Sequence, residues 1–115
     1  MLDIKMEFLR GILFCRLEGE LTTKYINKFE NSIIPIVLNQ GIKYIVVNLE
    51  KLNVIDTKGI EALMELNYIS INNKGKTTLC SLVNNQVKKA LHEYDVNYDF
   101  YETNDELSAL GVIKL

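Results

Sequence analysis

The run YIVVNL at residues 44–49 constrains the fold most, because it is apolar nearly throughout. A strand with one solvated face alternates apolar and polar residues, whereas a nearly continuous apolar run indicates a central strand covered on both faces. The stretch ILFCRLEG at 12–19 does alternate. The first run therefore predicts the middle of a sheet, and the second predicts a strand with one polar face.

The N-terminal half of the chain adds a hairpin and a helix to this sheet. Residues 4–9 form another strand-like run, and the Arg-Gly pair between the two runs predicts the turn of an antiparallel pair. Apolar residues then recur at helical spacing over 26–37, behind a cap at Thr22 or Thr23. Pro35 lies inside this pattern and should kink or split the helix, because it lacks an amide donor.

The C-terminal half alternates helices and strands. The patterns predict helices at about 58–72, at 84–94 and from Asn104, and strands at 77–82 and near 99–101. The whole order, β–β–α–β–α–β–α–β–α, predicts an α/β fold with a mixed, mostly parallel sheet of about five strands and about four helices. The length of 115 residues, with 48% hydrophobic and 24% charged residues, predicts one globular domain over 1–115.

Composition also limits the compartment and the partners. A net charge of -2 supplies no basic surface for a phosphate backbone, so no nucleic-acid partner is expected. No apolar run approaches the ~20 residues that span a bilayer, and the first residues do not resemble a signal peptide, which predicts a cytoplasmic protein without a membrane segment. Cys15 and Cys80 lie in apolar runs without a C-x-x-C motif and are expected to be reduced core thiols.

The motifs of the common enzyme classes are missing from the sequence. His92 is the only histidine and has no cysteine or carboxylate cluster at metal-ligand spacing, which indicates a helix-surface residue and no metal site. There is no dinucleotide or P-loop fingerprint and no nucleophile elbow. A phosphoacceptor role for Asp56, as in receiver domains, would need an acidic pair after the first strand, where EFLRGILF supplies none. No catalytic residue, no cofactor and no enzymatic activity are therefore expected.

The stretch NVIDTKGIEAL at 53–63 joins the central strand to the next helix. Asp56 and Thr57 fall where free backbone N–H groups and the positive end of the helix dipole meet. Either residue could simply cap the helix, for ~1 kcal/mol. Alternatively, the Thr57 hydroxyl could carry a phosphate, which is tolerated at such a position. Gly59 has no side chain and would let the backbone of another protein come close.

The helix after this junction carries apolar residues on two sides. One group predicts the core face and consists of Ile60, Leu63, Met64 and Ile71. Ala62, Leu66 and Ile69 lie roughly opposite, and Lys58, Glu61 and Glu65 occupy the arc between the two groups. The outer side is either an ordinary surface or a face on which a partner docks.

Three stretches resemble the STAS domain of the bacterial anti-sigma factor antagonist (anti-anti-sigma) family. ILFCRLEGEL at 12–21 is similar to the family's second strand, which ends in G-E-L-D, and LCSLVNNQVKKAL at 79–91 to a later strand and helix. IKYIVVNLEKLNVIDTKGIEAL at 42–63 is similar to the central strand and the D-S-S-G-L helix start. The resemblance covers essentially residues 2–111 and implies the STAS fold.

The resemblance also implies a partner-switching function in transcription regulation. The unphosphorylated antagonist would bind an anti-sigma factor that is a serine-protein kinase of the GHKL type, with ATP and magnesium on that kinase. Phosphorylation of Thr57, at the position of the family's first serine, would release the partner, and a phosphatase would reset the phosphoprotein. Lys58 stands where the second serine is usual, and Thr22 replaces the aspartate of G-E-L-D.

The predicted contact surface combines this resemblance with the helix pattern. Its residues belong to the loop after the second strand and to the helix start: Thr22, Thr23, Asp56, Thr57, Lys58, Gly59, Glu61, Ala62, Glu65, Leu66 and Ile69. The alternative is a constitutive STAS scaffold, an interaction module whose site is not phosphorylated. An enzyme or small-ligand domain is the third possibility, for which the sequence supplies no catalytic groups.

Overall fold

The computed structural model of the protein describes residues 1–94 and 100–113. Their strands form one sheet in the order β1-β2-β3-β4-β5. The strands are β1 Leu2–Leu9, β2 Ile12–Leu21, β3 Tyr44–Ile55, β4 Lys76–Cys80 and β5 Tyr101–Thr103. β1 and β2 are antiparallel, and the other neighbouring pairs are parallel. The predicted mixed, mostly parallel sheet of five strands is thereby confirmed.

In the part of the chain that the structure describes, four α-helices connect or flank these strands. They are α1 Ile26–Gln40, α2 Thr57–Asn72, α3 Asn85–Tyr94 and α4 Glu106–Val112, and a short 3-10 helix over Thr23–Tyr25 precedes α1. This confirms the α/β fold with four helices. Asp99, which was predicted to begin the last strand, lies outside the described residues. Within those residues, no helix is long and apolar enough to cross a bilayer.

The hairpin turn is explained by its two central residues. Arg10 has φ 53° and Gly11 has φ 82°, so both lie in the left-handed region that a two-residue type I′ turn requires. Leu9 and Ile12 close the turn, and the β1–β2 register then runs without interruption to Leu2 opposite Gly19. The predicted Arg-Gly turn and antiparallel pair are confirmed.

The central strand is covered on both faces, as its apolar run predicted. Ile45, Val47 and Leu49 are fully buried in the larger core, which lies between the sheet and helices α1, α2 and α3. Val46 points to the other face, into a smaller core that α4 covers with Ala109. Three helices therefore pack on one face of the sheet and α4 on the other.

Both cysteines are free and buried, as expected for core thiols. Cys15 belongs to the larger core and Cys80 to the smaller one, on opposite faces of the sheet. Burial raises the pKa of Cys15 to about 12 and that of Cys80 to about 11. Both side chains therefore remain protonated at neutral pH and act as apolar packing groups.

For the first helix, the expected threonine cap is wrong, and of the two outcomes expected at Pro35, a kink or a split, the split does not occur. The Thr22 side chain makes no capping hydrogen bond, and no side-chain bond caps the start of α1 either. Helix α1 also continues through Pro35 without a split. Pro35 and Asn31, whose carbonyl would otherwise receive the missing amide, are both exposed, so water can satisfy that carbonyl.

Candidate functional site at the start of helix α2

Asp56 fixes the junction between β3 and α2. Its Oδ1 accepts a hydrogen bond from the N–H of Gly59 at 2.9 Å, which caps the helix. Its Oδ2 accepts two further bonds from Thr23, one from the backbone N–H at 2.8 Å and one from the hydroxyl at 2.9 Å. Asp56 is therefore the helix cap, one of the two alternatives left open by the sequence, and it also ties the loop after β2 to α2.

These bonds also determine the charge of Asp56. Partial burial on its own raises the pKa of the carboxyl group, but donors from Thr23, Gly59 and the Lys58 backbone outweigh it and hold that pKa below its usual range. Asp56 is consequently ionised at neutral pH. Its carboxylate occupies the amide of Gly59, one of the amides expected to be free at this helix start, so a phosphate nearby could not use that N–H group.

Gly59 is required by the chain's own packing. A Cβ atom at this position would lie 2.1 Å from the carbonyl oxygen of Leu21 and 2.9 Å from Cγ1 of Ile55. Gly59 is buried, so the prediction that it admits the backbone of a partner is wrong. It instead lets the first turn of α2 pack directly against the end of β2.

Thr57 and Lys58 lie on the outer side of the same turn. Thr57 is the first residue of α2 and is exposed. The Lys58 side chain is 64% exposed, and its ammonium group lies 3.6 Å from Oε1 of Glu61. An exposed ion pair of this kind contributes little to stability, so Lys58 can exchange Glu61 for another anion at small cost.

A groove of about 360 Å³ separates the start of α2 from α1. It is lined by residues of both helices and of the preceding loop, namely Thr23, Ile26, Glu30, Lys58, Glu61, Ala62 and Glu65. Five of the predicted contact residues, the threonine and the four from α2, are thus brought together beside Thr57. Ile26 and Glu30 were missed, because only the packing of α1 against α2 brings them there.

The groove is acidic. Glu30 of α1 and Glu65 of α2 both line it, close enough for Glu30 to affect the ionisation of Glu65. Burial is the largest cause of the raised pKa of Glu65, and the interaction with the Glu30 carboxyl group raises that pKa further. A cationic side chain placed between the two carboxyl groups would relieve their mutual repulsion, so the groove is suited to a lysine or an arginine.

The prediction that α2 has an outer apolar face is wrong. Ala62 is 3% exposed and Leu66 is 0% exposed, and Ile69 packs against the core. Ile71, which was assigned to the core face, is 48% exposed. The reason is that α2 packs against α1, α3 and the sheet, so its buried arc is wider than a helix with one neighbour would show. Leu66 therefore does not belong to an exposed contact surface, and Ile69 is only partly exposed.

The exposed side of α2 is acidic and aromatic instead. Glu61, Glu65 and Tyr68 recur at i, i+4 and i+7 and therefore lie along one side of the helix. Tyr68 is 66% exposed. The hydroxyl group of Tyr94 on α3 donates to Oε2 of Glu61 at 3.3 Å and extends this surface. The periodicity of Tyr68 was visible in the sequence, whereas the position of Tyr94 depends on the tertiary fold.

His92 lies in an ion pair at the surface, away from the start of α2. His92 is exposed at the surface, as predicted, and its Nε2 lies 2.8 Å from Glu102. Among the residues that the structure describes, no group of three or more His, Cys, Asp or Glu side chains could hold a metal ion.

Comparison with known proteins identifies the architecture. A family model of the STAS domain matches residues 3–108. A putative anti-sigma factor antagonist from Thermotoga maritima superposes with a TM-score of 0.86 at 15% identity, over 96% of this chain and 93% of that chain.

Two structures of SpoIIAA are also similar. The anti-sigma factor antagonist SpoIIAA in its unphosphorylated form has a TM-score of 0.74 at 18% identity, over 96% of each chain. The Bacillus SpoIIAA in its phosphorylated form has a TM-score of 0.72 at 18% identity, over 96% of this chain and 99% of that chain. At these identities, the likeness establishes the shared fold.

Proposed function

The chain belongs to the STAS domain family, and on that premise we propose that it is an anti-sigma factor antagonist of a bacterial partner-switching pathway. The unphosphorylated protein binds an anti-sigma factor that is a serine-protein kinase of the GHKL type. Phosphorylation at Thr57 releases it, and a phosphatase restores the binding form. The observation that carries this proposal is the exposed Thr57 hydroxyl at the first position of α2, beside the acidic groove.

The chain's own part in the phosphorylation is to present a hydroxyl group. Phosphoryl transfer depends mainly on positioning and on charge stabilisation, which nucleotide and magnesium on the kinase would supply. The three hydrogen bonds of Asp56 fix the backbone on which Thr57 stands. We therefore propose a cytoplasmic regulatory protein that needs no catalytic residue and no cofactor of its own, and not an enzyme.

Thr57, Lys58 and the groove together suggest how a phosphate would act. A phosphate on Thr57 adds ~1.5–2 negative charges that the Gly59 amide cannot receive, because Asp56 occupies it. Lys58 is the adjacent cation and would turn from Glu61 toward the phosphate. A phosphate would attract, and not repel, a cationic partner group in this groove, so charge repulsion of that group is not the off-signal. Release follows from the bulk and the desolvation cost of a doubly charged group inside the contact.

The direct test combines phosphorylation with mapping of the site. The protein is incubated with its cognate kinase, ATP and magnesium, and the phosphate is located by mass spectrometry. We expect a single phosphate on Thr57 that Thr57→Ala abolishes. Ser108→Ala is the matched control, because Ser108 is an exposed hydroxyl residue in the first turn of α4. Phosphate on another residue, with partner release intact, would contradict the proposal.

The constitutive scaffold is the second candidate, and the Lys58–Glu61 ion pair favours it. This pair places a cation, Lys58, where the family usually has a second serine, with the Glu61 carboxylate beside it, and so changes the surface that a kinase would have to recognise. A scaffold of this kind would bind the partner in the same groove without being modified. Intact binding together with the absence of phosphate after prolonged incubation would select this candidate.

The acidic groove predicts the chemistry of the partner's contact. A lysine or arginine of the partner should enter between Glu30 and Glu65, because it relieves their mutual repulsion. Glu30→Gln and Glu65→Gln should each weaken binding about threefold to thirtyfold, and added salt should weaken it further. Glu93→Gln on the exposed surface of α3 is the matched control and should leave affinity unchanged.

A further inference from the structure

Strand β1 forms an open edge of the sheet. Its eight residues pair with β2, and no other described strand lies beside it. Natural edge strands are commonly protected by proline, by bulges, by short length or by charged side chains, and of these β1 carries only the last, in Asp3, Lys5 and Glu7. β1 has no proline, and its register with β2 is unbroken. Met6 and Phe8 are 37% and 59% exposed on it, so this edge is both apolar and available for pairing.

The hairpin determines which backbone groups of β1 face outward. A two-residue turn makes Leu9 and Ile12 a hydrogen-bonded pair, and hydrogen-bonded and non-bonded pairs then alternate along the strands. Ile4, Met6 and Phe8 therefore direct their N–H and C=O groups away from β2. Leu2 follows the same alternation, and its carbonyl oxygen is already bound by the Nζ of Lys28 from α1.

This alternation limits how a second copy of β1 could pair antiparallel with the first. Outward-facing residues must lie opposite one another, so the centre of symmetry falls on residue 4, 5, 6 or 7. Centring on Glu7 would place Glu7 opposite its own copy, which is a like-charge pair. Centring on Lys5 places Lys5 opposite Lys5 and Asp3 opposite Glu7, which are like-charge pairs. Centring on Ile4 requires the Leu2 carbonyl, which Lys28 occupies.

Centring on Met6 satisfies both conditions. It places Lys5 of each copy opposite Glu7 of the other, in a non-hydrogen-bonded pair where side chains are closest. Ile4 then lies opposite Phe8 on the apolar face, and Met6 meets its own copy. Glu7 is held for this contact by Arg16, whose Nη1 donates to its Oε1 at 2.9 Å.

We propose that β1 is a homodimer interface, in which two copies pair antiparallel about Met6 and join their two sheets into one. The complementary Lys5–Glu7 contacts, formed twice by symmetry, select a second copy of this chain as the occupant. The start of α2 lies at the end of β3, and β2 separates β3 from the interface. The dimer therefore leaves the Thr57 site of each copy open, and the proposal stands independently of the function of that site.

Disulfide trapping tests the pairing and its centre. Single cysteines at positions 4, 5 and 6 are introduced as Ile4→Cys, Lys5→Cys and Met6→Cys, and each full-length variant is oxidised mildly. A hydrogen-bonded pair brings its Cα atoms to ~5.5 Å, within the range for a disulfide. Only Met6→Cys should form a covalent dimer. Cross-linking at position 4 or 5 instead, or at none of the three, would overturn the proposal. The native Cys15 and Cys80 are buried and provide the unreactive background.

Charge reversal tests the partner contacts in the unmodified sheet. Lys5→Glu should raise the dimer dissociation constant roughly tenfold, measured by sedimentation equilibrium, because it creates two like-charge pairs. Combining it with Glu7→Lys should restore dimerisation. Lys88→Glu changes the net charge equally on the exposed surface of α3 and should have no effect. A wild-type protein that stays monomeric at millimolar concentration, or a double variant no tighter than the single one, would overturn the proposal.

Discussion

Helices α2 and α4 begin alike, since each follows a strand and is capped by an aspartate that precedes its first residue. Asp56 accepts from the N–H of Gly59 at 2.9 Å, and Asp105 accepts from the N–H of Ser108 at 2.7 Å. The two caps differ in what their second oxygen does. Oδ2 of Asp56 accepts from Thr23 of another segment, whereas the hydrogen bond from Ser108 to Asp105 stays within the first turn of α4.

The first residues of the two helices differ as well. Thr57 is exposed at the start of α2, whereas the Glu106 carboxylate at the start of α4 is bound by Arg16 and Asn48. The Arg16 contact is bidentate, with both nitrogen–oxygen distances at 2.8 Å. The start of α2 is thus hydrogen-bonded to the loop after β2 and has an exposed threonine as its first residue. The start of α4 is bound to the sheet through its first side chain. A shared cap does not indicate a shared use.

Adding a methyl group to a glycine should change the unfolding free energy very differently in the two helices, and this is the largest difference that we expect between them. Gly59→Ala should destabilise the protein by about 3 kcal/mol, because the added Cβ would meet the Leu21 carbonyl at 2.1 Å. Gly111→Ala in α4 has nothing within 4 Å of the new Cβ and should stabilise it by about 0.5 kcal/mol. Chemical denaturation measures both. Equal effects of the two substitutions would contradict the close approach at Gly59.

Removal of the caps should have the next largest effect. Asp56→Ala should cost about 2 kcal/mol of unfolding free energy, because it removes the helix cap and both hydrogen bonds from Thr23. Asp105→Ala removes a cap alone and should cost less. The stability of Asp56→Asn should lie between those of the wild type and of Asp56→Ala, since the amide oxygen can still accept from the N–H of Gly59. If Asp56→Ala and Asp105→Ala lost the same unfolding free energy, the bonds from Thr23 to Asp56 would contribute nothing to stability.

Neutralising a glutamate near each helix start should give a smaller difference in unfolding free energy. Glu106→Gln should cost about 1 kcal/mol, because Glu106 is 25% exposed and holds Arg16 in a bidentate contact. Glu61→Gln in α2 breaks only the exposed pair with Lys58 and should cost less than about 0.5 kcal/mol. Denaturation at low and high salt measures both, and a larger loss for Glu61→Gln would reverse the comparison.

The pH dependence of stability gives the smallest expected difference. The pKa of Asp56 is lowered in the folded state, so its contribution is complete above the ordinary aspartate range and is lost as the pH falls through the folded pKa. The unfolding free energies of wild type and Asp56→Asn should therefore converge as the solution is acidified. A difference that stays constant down to acid pH would show that the charge of Asp56 is not involved.

Local chemistry in the sequence was sufficient for much of the fold. The Arg-Gly turn and the apolar run of β3 are each determined by consecutive residues, so both can be predicted from a short stretch of sequence. The start of α2 was predicted within one residue for the same reason. The start of α4 was predicted at Asn104 and lies at Glu106, because Asp105 is the residue whose side chain reaches the amide of Ser108.

Long-range contacts account for what the sequence did not predict. Thr23 and Asp56 are 33 residues apart, and only the β2–β3 pairing brings them together. The burial of Ala62 and Leu66 depends on α2 having neighbours on two sides, which helical periodicity alone does not report. The meeting of Glu30 with Glu65 likewise requires the packing of α1 on α2.

The role of Thr57 is tested most directly by measuring one affinity twice. Titration calorimetry should compare the binding of the cognate anti-sigma kinase to the unmodified protein and to protein stoichiometrically phosphorylated on Thr57. We predict that the phosphate raises the dissociation constant by about tenfold or more, because the contact would have to bury and desolvate it. Equal dissociation constants for the two forms would contradict a phosphorylation switch at the start of α2.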